Sequence, residues 1–228
     1  MRSILNKRLH DQPASPVFSI KRAFTLIEML VVIAIIGILA AMLLPTLARA
    51  KEKGKWAKVR GELHCVGLAL QMYSDDNDGK LPPVRVNCNS DMMTHWCEFP
   101  VELAEQGYLP RGNKTGMAAN MEDVFNPGHT YKYAAPGPCL LNGSPNGNYS
   151  LWVPDDFPTC KSTNGHYYSN PKESPVRWVV WSLGPLPNSP ESQNAYAPIA
   201  SRSWYRHAGR GGVIPRMANR NDMQINLP

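Results

Sequence analysis

The residue whose chemistry stands out is a carboxylate at the edge of a greasy segment. Glu28 precedes Met29 to Ala48, a run of 20 residues without a charge. An ionised carboxylate in hydrocarbon is costly unless a cation or a set of donors meets it. Glu28 must therefore either snorkel back to the headgroups or pair with a positive group at its own depth. Other arrangements that could do chemistry are weaker. The histidines (His10, His64, His95, His129, His166 and His207) are scattered, with no H-E-x-x-H, G-x-S-x-G or phosphate-loop pattern. Cys88, His95 and Cys97 lie close together, but zinc would need a fourth ligand and a C-x-x-C hook. Structural or disulfide use is the better reading. The acids of Ser74-Asp75-Asp76-Asn77-Asp78 invite a calcium loop, yet counting from Ser74 the closing position holds Arg85 rather than Glu. A helix-ending turn fits better. Arg202, Arg206, Arg210, Arg216 and Arg220, mixed with Trp204, Tyr205 and His207, could grip nucleic acid, but a solvated basic tail is the plainer reading. No enzyme activity, cofactor or nucleic-acid partner is expected, and no metal is assigned.

The elements that must position Glu28 follow from the hydropathy pattern. Twenty uncharged residues at 1.5 Å each make about 30 Å of helix, enough to cross the hydrocarbon core of a bilayer. A secretory signal is the rival, with Ala40 and Ala41 as a cleavage site. Its apolar region is usually only about 7–15 residues, and here the run continues through Met42, Leu43 and Leu44. Pro45 loosens the helix in a way that neighbouring subunits tolerate in a membrane or filament. Basic residues flank both ends, so charge counting does not orient the span. The net charge of +6 is explained by these flanks as well as by any anionic partner. Beyond Pro45, Trp56, Val59, Leu63, Val66, Leu70 and Tyr73 recur at spacings of three and four, the stripe of an amphipathic helix. This gives one helix of about 70 Å, stopped by Gly79, Pro82 and Pro83. The remainder is rich in Pro, Gly, Asn and Ser and reads as a loop-heavy domain with a thin core. Within it, Phe99 to Pro110 is a short helix closed by Gly107. Tyr131 to Tyr133, Tyr149 to Val153 and Trp178 to Leu183 are strands.

Lys21-Arg22-Ala23-Phe24-Thr25-Leu26-Ile27-Glu28, followed by an unbroken apolar run, resembles the processing signature of type IV prepilins and type II secretion pseudopilins. The resemblance implies cleavage by a prepilin peptidase between Ala23 and Phe24 and methylation of the new Phe24 amine. The family usually has Gly where this chain has Ala23. The resemblance also implies that Glu28 pairs with the Phe24 amine of a neighbouring subunit, and that Pro45 is the family's helix-loosening proline. Tyr73 to Pro83 resembles the helix end of major pseudopilins, and the "YLP", "Y-x-Y" and "WSLGP" segments resemble their heads at the level of pattern. Stretches between Gly112 and Pro175 look like insertions. Major pseudopilins bind calcium in a late loop. Asn219, Asn221 and Asp222 are the oxygen-bearing residues near this C-terminus, so calcium in the head stays open.

The resulting expectation is an α+β chain: a long N-terminal helix packed on a small, loop-rich antiparallel β head. Residues 1–23 would be a leader, 24–48 the transmembrane and assembly helix, 49–81 the amphipathic continuation and 82–228 the head. The chain would be a single-pass inner-membrane protein with a cytoplasmic leader and a periplasmic head. Its partners would be prepilin peptidase, other copies of itself, related pseudopilins, the inner-membrane secretion platform and membrane lipid. The alternatives are a type IV pilin-like fibre subunit for adhesion or DNA uptake, and a signal-anchored envelope enzyme or binding protein. An extracytoplasmic head permits disulfides. Cys65 lies in the long helix, and chain proximity favours Cys88 with Cys97 and Cys139 with Cys160, closing loops of about 10 and 22 residues worth roughly 3 kcal/mol each.

Overall fold

The computed structural model describes residues 24–90, 95–112, 119–193, 198–206 and 210–225. The chain divides into two units, Met1–Thr46 and Leu47–Pro228. Helix α1, Leu26–Asp76, runs through the boundary and contains Pro45. The described part of the first unit is Phe24 and Thr25 followed by helix, with its large side chains exposed throughout.

In the second unit the anticipated stripe of α1 becomes core. Val59, Leu63, Val66 and Leu70 are fully buried, Tyr73 nearly so, and Trp56 packs at the margin. Each buried aliphatic side chain contributes about 2 kcal/mol from apolar area alone. Gly67 lies on the same face for a different reason: a Cβ there would stand 2.8 Å from the Trp178 ring and 2.9 Å from Gln224 Nε2. The helix therefore approaches the sheet most closely where it has no side chain. It ends where the turn residues require. The Asn77 amide donates to Tyr73 O at 2.8 Å, and Gly79, with φ +76°, donates its N–H to Ser74 O at 2.9 Å.

Among the described residues ten short strands follow. β1 (Val84–Asn87), β2 (Trp96–Cys97), β4 (Gly137–Leu141) and β5 (Ser144–Tyr149) form one sheet in the order β2-β1-β4-β5. β3 (Lys132–Ala134), β8 (Val176–Ser182), β9 (Ile214–Asn219) and β10 (Gln224–Ile225) form a second, in the order β10-β9-β8-β3. β6 (Leu151–Pro154) and β7 (Gly165–Tyr168) pair as a separate antiparallel ribbon. Helix α2 covers Glu102–Glu105 and α3 covers Pro190–Gln193. The fold class is α+β as expected, and among the described strands the pairing is antiparallel except that β1 and β4 run parallel, as does an isolated bridge between Trp204 and Val213.

Two local expectations change. Tyr149 to Val153 is not one strand, because Ser150 separates β5 from β6 and the two belong to different sheets. The basic tail is not a solvated tail, since its centre is β9, which pairs with both β8 and β10 and buries Ile214, Met217 and Ala218. Arg216 Nε donates to Gln224 Oε1 at 2.7 Å, and Arg220 Nε donates to Ser174 O at 3.2 Å. Burial lowers the Arg216 pKa from its ordinary value, with the nearby Arg60 charge adding to the effect. Among the described residues β10 pairs only with Met217 and Ala218, and Pro215 lies beyond that pairing, towards the start of β9.

Candidate functional site: the start of the apolar helix

Lys21, Arg22 and Ala23, with the rest of residues 1–23, lie outside the described residues, as does His207. Phe24 is the first residue described and is 76% exposed. Thr25 stands just ahead of α1, and Glu28 is in its first turn. The two side chains form a reciprocal cap. Glu28 Oε2 accepts the Thr25 backbone N–H and the Thr25 hydroxyl, each at 2.8 Å, and the Glu28 N–H points back to Thr25 Oγ1 at 3.3 Å. This is a capping box, in which two otherwise orphaned helix-end donors are satisfied. The carboxylate also lies at the positive end of the helix dipole. The T-x-x-E spacing of Thr25 to Glu28 carries this signal in the sequence, although apolarity alone draws attention only to the charge.

Beyond the cap the helix is apolar on every side. Ile33, Ile36, Leu39 and Met42 are each more than half exposed. No part of the most hydropathic 18-residue window is buried, and this helix is long and apolar enough to cross a membrane. Pro45 removes one intrahelical N–H, and the helix continues through it. The Thr46 hydroxyl donates to Leu43 O at 2.8 Å, satisfying a carbonyl within the same turn. The arrangement is an adhesive surface with one oriented acid at its tip.

The head's titratable groups are placed differently. Cys97 is fully buried, and both its thiol and Trp96 Nε1 donate to Tyr149 Oη, at 3.4 Å and 3.2 Å. Burial pushes the Cys97 thiol up to about 12, and burial followed by the Asp156 charge does the same for Cys160. Burial also raises the Cys139 thiol. Cys65 and Cys88 are exposed. All five cysteines are thiols, so neither Cys88–Cys97 nor Cys139–Cys160 is bridged in the structure. Cys97 and Cys139 lie on the two strands flanking β1, opposite Val86 and Val84. His95 Nδ1 accepts the Asn89 N–H at 3.1 Å rather than facing the sulfurs as a ligand. Among the described residues no three His, Cys, Asp or Glu side chains come together as a metal site. Asp123 was not singled out by sequence, yet it is buried beneath the "WSLGP" strand. Its carboxylate accepts the Ser182 hydroxyl, the Asn126 amide at 2.9 Å and the Phe125 N–H at 3.0 Å. Burial raises its pKa, and the Glu62 charge adds to that, against the lowering effect of those three donors.

Comparison with known proteins bears on the helix most strongly. A family profile described as a prokaryotic N-terminal methylation motif matches residues 19–44. The type II secretion system core protein G of Klebsiella pneumoniae is 46% identical over 57 residues, 25% of this chain and 41% of that protein. The protein of the same name from Vibrio cholerae is 31% identical over 114 residues, 50% of this chain and 70% of that protein. The type IV major pilin protein PilA of Myxococcus xanthus is 30% identical over 128 residues, 54% of this chain and 50% of that protein. The chain thus spans about two fifths of the length of several curated relatives that it matches. No solved structure matches it. A methylation motif that runs into the capped, apolar first half of α1, with similarity extending across most of the Vibrio protein, places this chain in the type II secretion system core protein G family of pseudopilins.

Proposed function

We propose that this chain is a structural subunit of a pseudopilus-like filament acting in type II protein secretion, and not an enzyme. The observation that carries the reading is the apolar surface of α1 from Met29 to Ala48, whose large side chains are exposed among the described residues. Such a surface needs lipid before assembly and other subunits after it. In this reading residues 1–23 are a leader, 24–48 the membrane and assembly segment, 49–81 its continuation and 82–228 the head. Prepilin peptidase cuts between Ala23 and Phe24 and methylates Phe24. The protein sits in the inner membrane with its leader cytoplasmic and its head periplasmic, and it engages related pseudopilins and the secretion platform. Glu28 then has two successive partners: Thr25 within its own chain, and the Phe24 amine of a neighbour once a filament forms. Mass spectrometry of the N-terminal peptide from native membranes tests the reading, with N-methylated Phe24 expected. A new terminus just after Ala40 or Ala41 would instead identify a secretory signal.

A second reading is favoured by the Myxococcus PilA similarity, which extends over 54% of this chain. In that case the same subunit builds a type IV pilin-like fibre. Loss of secreted protein on deletion of the gene supports the first reading, and loss of surface fibres with secretion intact supports the second.

A further inference from the structure

Major pseudopilins, which this chain resembles, bind calcium in a late loop, and Asn219, Asn221 and Asp222 are the oxygen-bearing side chains near this C-terminus. The turn these residues form does not suit that ion. Asp222 Oδ2 is engaged by the Arg177 guanidinium. Asn219 Oδ1 accepts the backbone N–H groups of Asn221 and Met223, both at 3.0 Å, and Asn221 is exposed. Asp222 Oδ1 is buried without a hydrogen-bond donor. It is one oxygen of a carboxylate whose charge a guanidinium already balances. Calcium requires about six to eight oxygens and gains affinity with ligand charge.

The guanidinium has further partners. Its second terminal nitrogen donates to the Ser74 hydroxyl and to Gly79 O, the latter at 3.2 Å. Ser74 is buried near the end of α1, and Gly79 closes the turn beyond it. One side chain from β8 thus joins the end of α1, the turn after it and the β9–β10 turn. That helix end has no basic residue in its last turn and carries Asp75 and Asp76. Its terminal carbonyls add partial negative charge. A cation is favoured there, and a planar fork of donors can bind a carboxylate, a hydroxyl and a carbonyl together.

We infer that Arg177 is the resident cation of this junction, so that the head holds its late loop without calcium. The test uses full-length protein purified in detergent. Melting temperature is measured in millimolar calcium and in a calcium chelator, and calcium binding is followed by isothermal titration. The wild type is expected to melt at the same temperature in both conditions and to show no saturable calcium binding. Arg177→Gln and Asp222→Asn should each lower the melting temperature by several degrees. The double variant should lose little more than either single one, because the two residues share one interaction. A calcium-dependent rise in wild-type melting temperature, or saturable calcium binding, overturns the inference. So does an Arg177→Gln protein that melts as the wild type does. Should Arg177→Gln fail to fold, the wild-type calcium titration and the Asp222→Asn melt still decide the question.

Discussion

Helix α1 contains two stretches of similar length and opposite fate. From Met29 to Ala48 every face is apolar and every large side chain is exposed. From Trp56 to Tyr73 apolar residues return at three- and four-residue intervals, and that one face is buried against the sheet. The first stretch is uniform and so specifies a solvent. The second is periodic and so specifies a partner surface within its own chain. Hydrophobicity alone does not distinguish the two, but its angular distribution does.

Truncations along the helix should separate these stretches most sharply. Leu63→Ala removes a fully buried side chain and is expected to destabilise the head by about 2–5 kcal/mol in denaturant titrations of detergent-solubilised protein. Ile36→Ala, in the exposed stretch, should leave the same titration within about 0.5 kcal/mol of wild type while lowering filament yield. Equal losses of head stability would erase the distinction.

Glu28 sharpens the comparison at the tip of the first stretch. Glu28→Ala loses both the cap and the charge, and about 1 kcal/mol of helix-end stability. It should still be inserted and cleaved, but should assemble poorly. Glu28→Gln retains the capping-box chemistry, since Gln serves at that position, and loses only the charge. Filament yield from Glu28→Gln is therefore expected to fall with that of Glu28→Ala. A Gln variant assembling at wild-type level would show that the cap matters and that the amine pairing does not.

A smaller effect is expected at Asp123 in the head. Its folded-state pKa is raised, mainly by burial. The folded state therefore holds the proton more tightly than the unfolded state. That stabilisation is complete below the unfolded value, about 3.9, and is lost as pH rises through the folded value. Asp123→Asn removes this dependence. Measured from pH 4 to 7, the stability of the variant relative to wild type should shift steadily in the variant's favour as pH rises. A constant offset would mean that Asp123 titrates normally.

The smallest perturbation is chemical labelling. Cys65 and Cys88 are exposed and should alkylate quickly under native conditions, whereas Cys97, Cys139 and Cys160 should react only on unfolding. Peptide mapping without reductant is the companion measurement. A bridge between Cys88 and Cys97 would remove one fast and one slow thiol together.

What could be read from sequence follows the same division. The apolar run, the buried stripe and the stop at Gly79 were legible because each is a local pattern repeated over several turns. The strand carrying Trp178 and Trp181 was legible from its own aromatic and β-branched content. β9 was not, because Arg216, Arg220 and Pro215 mask a strand whose inward residues are only Ile214, Met217 and Ala218. The parallel pairing of β1 with β4 was not legible either. It joins short segments far apart in the chain, and nothing in Val84 to Asn87 announces direction. At the site, the acid of Glu28 was conspicuous by its contrast with its surroundings. Its partnership with Thr25 depends on a three-residue spacing that the same contrast obscures. Asp123 and Arg177 escaped because buried polar groups are defined by what long-range folding brings to them.

The close approach at Gly67 has a kinetic consequence. The Trp178 ring and the Gln224 side chain that meet the helix there come from β8 and β10, so the sheet facing the helix is finished by the last strands of the chain. Contacts of such long range are slow to form, because loop closure must precede any gain from packing. A chain made from its N-terminus therefore carries the Val59 to Tyr73 face bare until β8 and β10 have been made. The helix can enter the bilayer before the head closes on it, and removing even the β10 residues Gln224 and Ile225 would leave that closure incomplete.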